Sequence, residues 1–97
     1  MATYIILANY TAQGIKNIKE SSRRVEAARK TFKDMGVEMK SFYSAMGRYD
    51  TVVIVEAPDD ETMAKALFAI GSLGNIRSET LRVFPEDEFR KIVAKIP

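Results

Sequence analysis

Residues 37–57 read VEMKSFYSAMGRYDTVVIVEA, two strand-like runs around a tight turn. Val37–Ala45 forms one strand, and Thr51–Ala57 is the next and the most apolar of the chain. Between them, Gly47-Arg48-Tyr49-Asp50 reads as a β-turn carrying a cation, a phenol and a carboxylate. A hairpin here makes the second and third strands antiparallel neighbours, and the flanking segments have to be fitted around that pair.

Upstream, residues 3–10 (TYIILANY) are β-branched, aromatic and apolar at both parities, as in a strand covered on two sides. Ile15, Ile18, Val25, Ala28, Phe32 and Met35 then fall near helical spacing and form one apolar stripe. Ser21 and Ser22 interrupt it and offer a cap for a fresh start, which predicts a short helical turn followed by the main helix. Gly36 stops that helix. Downstream, Pro58-Asp59-Asp60-Glu61 opens a second helix, its carboxylates at the positive end of the dipole, running to about Ile70 on Met63, Ala66 and Leu67. A loop bearing Gly71 and Gly74 leads to the last strand, about Ile76 to Phe84. Pro85-Glu86-Asp87-Glu88 starts a short terminal helix that uses Phe89, Ile92 and Val93. The order β-α-β-β-α-β predicts an α+β, ferredoxin-like unit: a four-stranded antiparallel sheet with two helices on one face, followed by a short C-terminal helix. The 97 residues make a single domain, 1–97, without linker or low-complexity segment.

Composition excludes more than it suggests. With 46% hydrophobic and 29% charged residues the chain is an ordinary globular one, and 15 basic against 13 acidic residues leave only +2. Arg23, Arg24, Arg29 and Lys30 are dense locally, but Glu20 and Glu26 interrupt them, so no electrostatic footprint for nucleic acid is present. Cysteine is absent, which removes disulfides, thiolate metal sites and cysteine nucleophiles. Histidine is absent too, and with it the usual general base near neutral pH and the commonest metal and haem ligand. No metal and no cofactor are expected. No apolar run approaches membrane-spanning length, and the N-terminus enters a strand directly, so a cytoplasmic protein away from membranes is the expectation.

Strand parity carries a further expectation. The first strand puts Tyr4, Ile6, Ala8 and Tyr10 on one side and Ile5 and Leu7 on the other; the third offers Thr51, Val53 and Val55 against Val52 and Ile54. With both helices on one face, the other is apolar yet open to water, beyond what a monomer usually exposes. A second subunit covering it sheet against sheet, with two-fold symmetry, is the natural remedy. The tail helix is too short to span four strands.

The Gly47–Asp50 turn, the segment Tyr10-Thr11-Ala12-Gln13-Gly14, and Gly71 through Leu81 (GSLGNIRSETL) together resemble the signature of the GYD domain family, over nearly the whole chain. The resemblance implies a dimeric α/β barrel, a homodimer or higher homo-oligomer, and attaches no established activity to it. Right-handed crossovers make strands one and two parallel, and three and four parallel, so all three segments converge at one end of the sheet. There Arg48 and Arg77 supply guanidinium donors suited to carboxylate or phosphate, Tyr10, Tyr43 and Tyr49 apolar bodies with hydroxyl tips, and Asn9, Asp50 and Glu79 further polar groups. The backbone N–H groups around Gln13 and Gly14 point the same way.

The expectation is a homo-oligomeric binding module for a small, anionic or aromatic molecule at the rim formed by residues 9–14, 47–50 and 71–79. The candidates are Asn9, Tyr10, Tyr43, Arg48, Tyr49, Asp50 and Arg77. The alternative is a cofactor-independent oxygenase or isomerase of the dimeric α/β-barrel type, tested first on Asn9, Arg48, Tyr49 and Asp50. That reading has few side chains to work with, since neither histidine nor tryptophan is present. Each rim residue also has a plainer role: Gly47 as a positive-φ turn residue, Asp50 as acceptor of turn N–H groups, Tyr49 packed over the rim, Arg77 paired with Glu79 or Asp50. Gly71-Ser72-Leu73-Gly74 lacks the Gly-Lys-Ser/Thr ending of a phosphate loop, the methionines are core filler, and Asp59, Asp60 and Glu61 are helix-start acids rather than a calcium loop.

Overall fold

The computed structural model, which describes residues 1–97, pairs β2 (Glu38–Ser44) with β3 (Thr51–Ala57) in antiparallel register, from Glu38 opposite Glu56 to Ser44 opposite Thr51. The connecting turn needs a glycine: Gly47 has φ +124°, a region that L side chains rarely enter. β1 (Ala2–Tyr10) lies between β3 and β4 (Ile76–Val83) and is antiparallel to both, giving the order β2-β3-β1-β4. Each strand is therefore where the split βαβ topology requires it.

After β1, a single-turn helix α1 (Ala12–Lys16) and a 3-10 turn (Ile18–Glu20) lead into α2 (Ser21–Asp34). The expected fresh start at the serines is present, but neither serine caps it: Glu20 stands at the N-cap position without a side-chain bond, and Ser21 is already helical. The preceding 3-10 turn hands the backbone over in helical geometry, leaving no extended residue for a serine to cap from. Helix α3 (Asp60–Gly71) follows β3 and starts as its sequence indicates, with Asp59 accepting the Thr62 N–H at 2.8 Å.

Helices α2 and α3 cover one sheet face. Tyr4, Ile6 and Ala8 of β1 and Val53, Val55 and Ala57 of β3 meet Phe32 of α2 and Met63 and Ala66 of α3 in the core. Every one of these strand residues belongs to one parity set, that of Tyr4, Ile6 and Ala8 in β1 and of Val53 and Val55 in β3, and the packing of the helices makes that set the covered side. The opposite parity, Ile5, Leu7, Val52 and Ile54, is only half-buried, and beside it Tyr43 and Leu81 are 56% and 41% exposed. Just 12 of 97 residues are buried, so this is a one-sided core under a half-covered sheet. An irregularity between Met39 and Ser41 shifts the β2 register by one residue, so Met39 (opposite Val55) and Phe42 (opposite Val53) share the helix face despite their odd spacing.

The terminal helix α4 (Glu86–Ala94) buries none of its residues, and Phe89, Ile92 and Val93 are 57%, 47% and 45% exposed. It stands off the body. That projection stretches the molecule to 52 Å and raises the radius of gyration to 14.6 Å, against roughly 12.5 Å for a compact chain of this length.

Candidate functional site

Two of the three motif segments are fastened directly to one another. The Thr11 N–H donates to the Asn75 carbonyl at 3.0 Å, and the Thr11 hydroxyl to the Gly74 carbonyl at 2.6 Å. Thr11 Oγ1 in turn caps α1 by accepting the Gly14 N–H at 3.0 Å. Gln13 Nε2 adds bonds to Asn75 Oδ1 at 2.9 Å and the Leu73 carbonyl at 3.2 Å. The approach is close enough that Gly14 is obligatory: a Cβ there would lie 2.0 Å from the Asn75 carbonyl oxygen. The N–H groups near Gln13 and Gly14, expected to face a ligand, are partly spent on this junction.

The third segment joins through Asp50. Its Oδ2 accepts the Tyr10 N–H at 2.9 Å, while its own N–H is shared between the Ala8 carbonyl at 2.9 Å and Asn9 Oδ1 at 3.1 Å. Asp50 thus ties the hairpin turn to β1 across the strand ends rather than capping its own turn. Tyr49 donates its hydroxyl to Glu79 Oε2 at 2.7 Å, a bond that raises its pKa first of all by favouring the phenol over the phenolate. Arg77 makes no ion pair with Glu79 or Asp50, and Arg48, Arg77 and Tyr43 are solvent-exposed.

All three segments share one rim, as the topology requires, but strand parity divides the candidates between two faces. Asn9 and Arg77 are register partners on the open face, where Tyr43 lies in one cross-strand row with Val52, Leu7 and Glu79. Tyr10 has the other parity, opposite Ile76, and faces the helices. It lines a cavity of about 160 Å³ between α2, α3 and the sheet. Phe32, Val53, Leu67 and Ile70 make that wall apolar. The cavity floor is a row in which Ala8 is flanked by Thr51 and Ser78, and Arg24 of α2 is the single charged residue in the wall. Arg24 Nη2 donates to the Gly14 carbonyl at 3.0 Å, which places it beside the α1 junction.

Sequence reasoning missed Arg24 and Thr51 as lining residues and did not single out Ser78 within the expected rim segment 71–79. Arg24 sat among other basic residues and read as part of a solvated helix face. Thr51 was grouped with Val53 and Val55 on one parity, and a hydroxyl inside an otherwise apolar strand run was the signal available.

At the opposite end of the sheet the Tyr4 hydroxyl donates to Asp60 Oδ1 at 2.5 Å. Burial and this bond to a carboxylate push the Tyr4 pKa up to about 12. Arg82 lies 5.7 Å from the Tyr4 ring centre and 4.3 Å from that of Phe84, and reaches Glu88 of α4 at 3.9 Å. This cluster ties β1 to the start of α3 and holds the first turn of α4.

The fold is a ferredoxin-like α+β domain with a cleft between its helices and its sheet. The chain belongs to the GYD domain family, which it matches over residues 4–93. It is 33% identical over 86 residues to the glutamine synthetase and cystathionine beta-lyase binding protein of Thermus thermophilus, spanning 88% of this chain and 90% of the relative. Among solved structures it is similar to TTHA0845, also from Thermus thermophilus, with TM-score 0.58 and 26% identity over 88% of this chain and 95% of that one. A protein from Pyrococcus horikoshii, PHS023, shares the fold with TM-score 0.55 and 20% identity, over 88% of this chain and 92% of the other. No helix is long and apolar enough to cross a membrane.

Proposed function

We propose that this chain is a small homodimeric binding protein that covers its open sheet face with a second copy and takes a small molecule at the motif-bearing rim. The observation that carries the reading is the cleft itself. Thr11, Gly14 and Asp50 hold three distant segments together around one end of the sheet, and Tyr10, Asn75 and Ile76, from two of those segments, line a mostly apolar cavity. A preformed apolar pocket with a few placed polar groups is the usual form of a small-molecule site. The half-buried apolar residues of the opposite face support the dimer, since a surface of that kind is normally covered.

Native mass spectrometry of protein purified gently from its own host tests both parts. A dimer carrying a defined extra mass of small-molecule size is the expected result. A clean apo dimer retracts the small-molecule part, and a monomer retracts the dimer.

A second reading, a protein-docking module, is favoured by the exposed apolar stripe of α4 and by the Thermus relative, which is named for binding two enzymes. Comigration of the purified chain with its host's glutamine synthetase on size exclusion, lost when residues 86–97 are removed, is the outcome that would favour it. The enzymatic alternative has less support. It needs an acid displaced toward working pH, and the tyrosines with shifted pKa, Tyr4 and Tyr49, both move upward, away from service as bases.

A further inference from the structure

We propose that the ligand is a small monocarboxylic acid with a single ring or a short chain as its apolar body, its carboxylate held by Arg24 and its body lying in the cavity over Ala8. This rests on the small-molecule reading above and names the chemistry of the same cleft. Three independent features converge on it.

The first is size. The cavity holds about 160 Å³, and an apolar cavity of about 150 Å³ is known to stay dry and to accept benzene. One ring or a comparable short chain fits; a nucleotide or a haem does not.

Charge is the second. Arg24 is half-buried, bonded to the Gly14 carbonyl, and the single charged residue in the wall, with no carboxylate among the lining residues. Of the basic residues near it in sequence, Arg23 pairs with Glu20 and Arg29 with Glu26, while Arg24, like Lys30, takes part in none of the chain's ion pairs, and of these only Arg24 lines the cavity. A guanidinium has five N–H donors. One is spent on Gly14, so the planar fork retains the donors that a carboxylate takes in pairs. Desolvating an unpaired cation against an apolar wall is costly, and an anion entering with an apolar body relieves that cost.

Finally, the floor has both room and polarity. Ala8 is the small residue between Thr51, 5% exposed, and Ser78 in one register row. Thr51 is buried in a wall otherwise made of residues such as Phe32, Val53 and Ile70, while Ser78 lines the cavity from an exposed position. Their hydroxyls give a ring substituent or a second oxygen of the ligand a hydrogen-bonding partner without adding charge.

The test is amide-resolved NMR titration of the intact protein with benzoate, benzyl alcohol and benzylamine, repeated on Arg24→Gln and Ala28→Leu. Benzoate is expected to shift Ala8, Thr51 and Ser78 and to bind at least tenfold more tightly than benzyl alcohol, with benzylamine weakest. Arg24→Gln, a change at a half-exposed position, is expected to abolish that tenfold preference. Ala28→Leu, which adds bulk on the cavity's α2 wall, is expected to weaken benzoate at least tenfold while the thermal midpoint holds. Equal affinity for benzoate and benzyl alcohol, or unchanged benzoate binding in Arg24→Gln, overturns the carboxylate assignment and leaves the small-molecule reading standing. Shifts confined to Arg48, Arg77 or the open sheet face overturn the placement. Silence at the cavity with all three probes overturns this inference together with the small-molecule reading of the cleft.

Discussion

Asp50 shows how a motif residue can be chemically conspicuous and structurally occupied at once. Its carboxylate accepts the Tyr10 N–H at 2.9 Å, an interaction that an amide oxygen can largely reproduce. Asp50→Asn is therefore expected to keep the fold at a cost of about 1 kcal/mol in urea unfolding, and Asp50→Ala to cost about twice that by leaving the N–H without its acceptor. Equal losses for the two would mean that charge, not the hydrogen bond, is what the position supplies. Gly14 is less forgiving. A methyl group 2.0 Å from the Asn75 carbonyl oxygen forces backbone apart, so Gly14→Ala is expected to lower stability by about 1–3 kcal/mol and to loosen the α1 junction. Tyr4 gives a pH signature. Its pKa is about 12 when folded against about 10 when unfolded, so the protonated phenol is favoured by folding. That contribution is complete below pH 10 and is lost as pH rises toward 12. The expected alkaline fall in stability between those values should be smaller in Tyr4→Phe, as read by thermal melts across the range.

At the scale of elements, α3 and α4 make opposite cases. The start of α3 is capped by Asp59, whose carboxyl the Thr62 N–H holds below the usual aspartate range. A depressed carboxyl contributes stability above its unfolded pKa, near 4, and loses it as pH falls through the lower folded value. Asp59→Asn is expected to flatten that acid limb. Helix α4 buries nothing and is held by the Arg82–Glu88 pair at 3.9 Å, the kind of partly exposed contact worth about 0–1 kcal/mol. Removing residues 86–97 should therefore move the melting midpoint by less than the roughly 4–8 °C that 1 kcal/mol represents in a domain of this size. A larger drop would place α4 against a surface it does not touch within one chain.

For the whole molecule, the two faces of the sheet are the question, and β3 is the place to ask it. Val55 is fully buried under the helices, so Val55→Asp strands an unpaired charge in the core, on the order of 3–5 kcal/mol against a total of roughly 5–15. The subunit is expected to unfold. Ile54 has the opposite parity and is half-buried on the open face, and in the proposed dimer Ile54→Glu is expected to keep native circular dichroism while halving the mass seen by light scattering. A dimer surviving Ile54→Glu would remove sheet-to-sheet contact as the mode of association.

Much of this was written in local pattern. Alternation in TYIILANY and TVVIVEA sorted β1 and β3 residues into two sets of opposite parity, the Pro-Asp-Asp-Glu run located the start of α3, and Gly47 marked the turn, because parity, helix starts and positive φ depend on a residue and its near neighbours. Right-handed crossovers then brought the three motif segments to one rim. Contacts between residues distant in sequence settled the rest. The β2 irregularity put Met39 and Phe42 on one face against simple alternation. Parity separated Tyr10 from Asn9 and Arg77 at adjacent positions of the same rim. Asp50 turned out to hold Tyr10, Gly14 to admit Asn75, and Arg24 to line a cavity rather than a solvated face. No window of sequence contains those pairings, since each depends on how one element settles against another after both have formed.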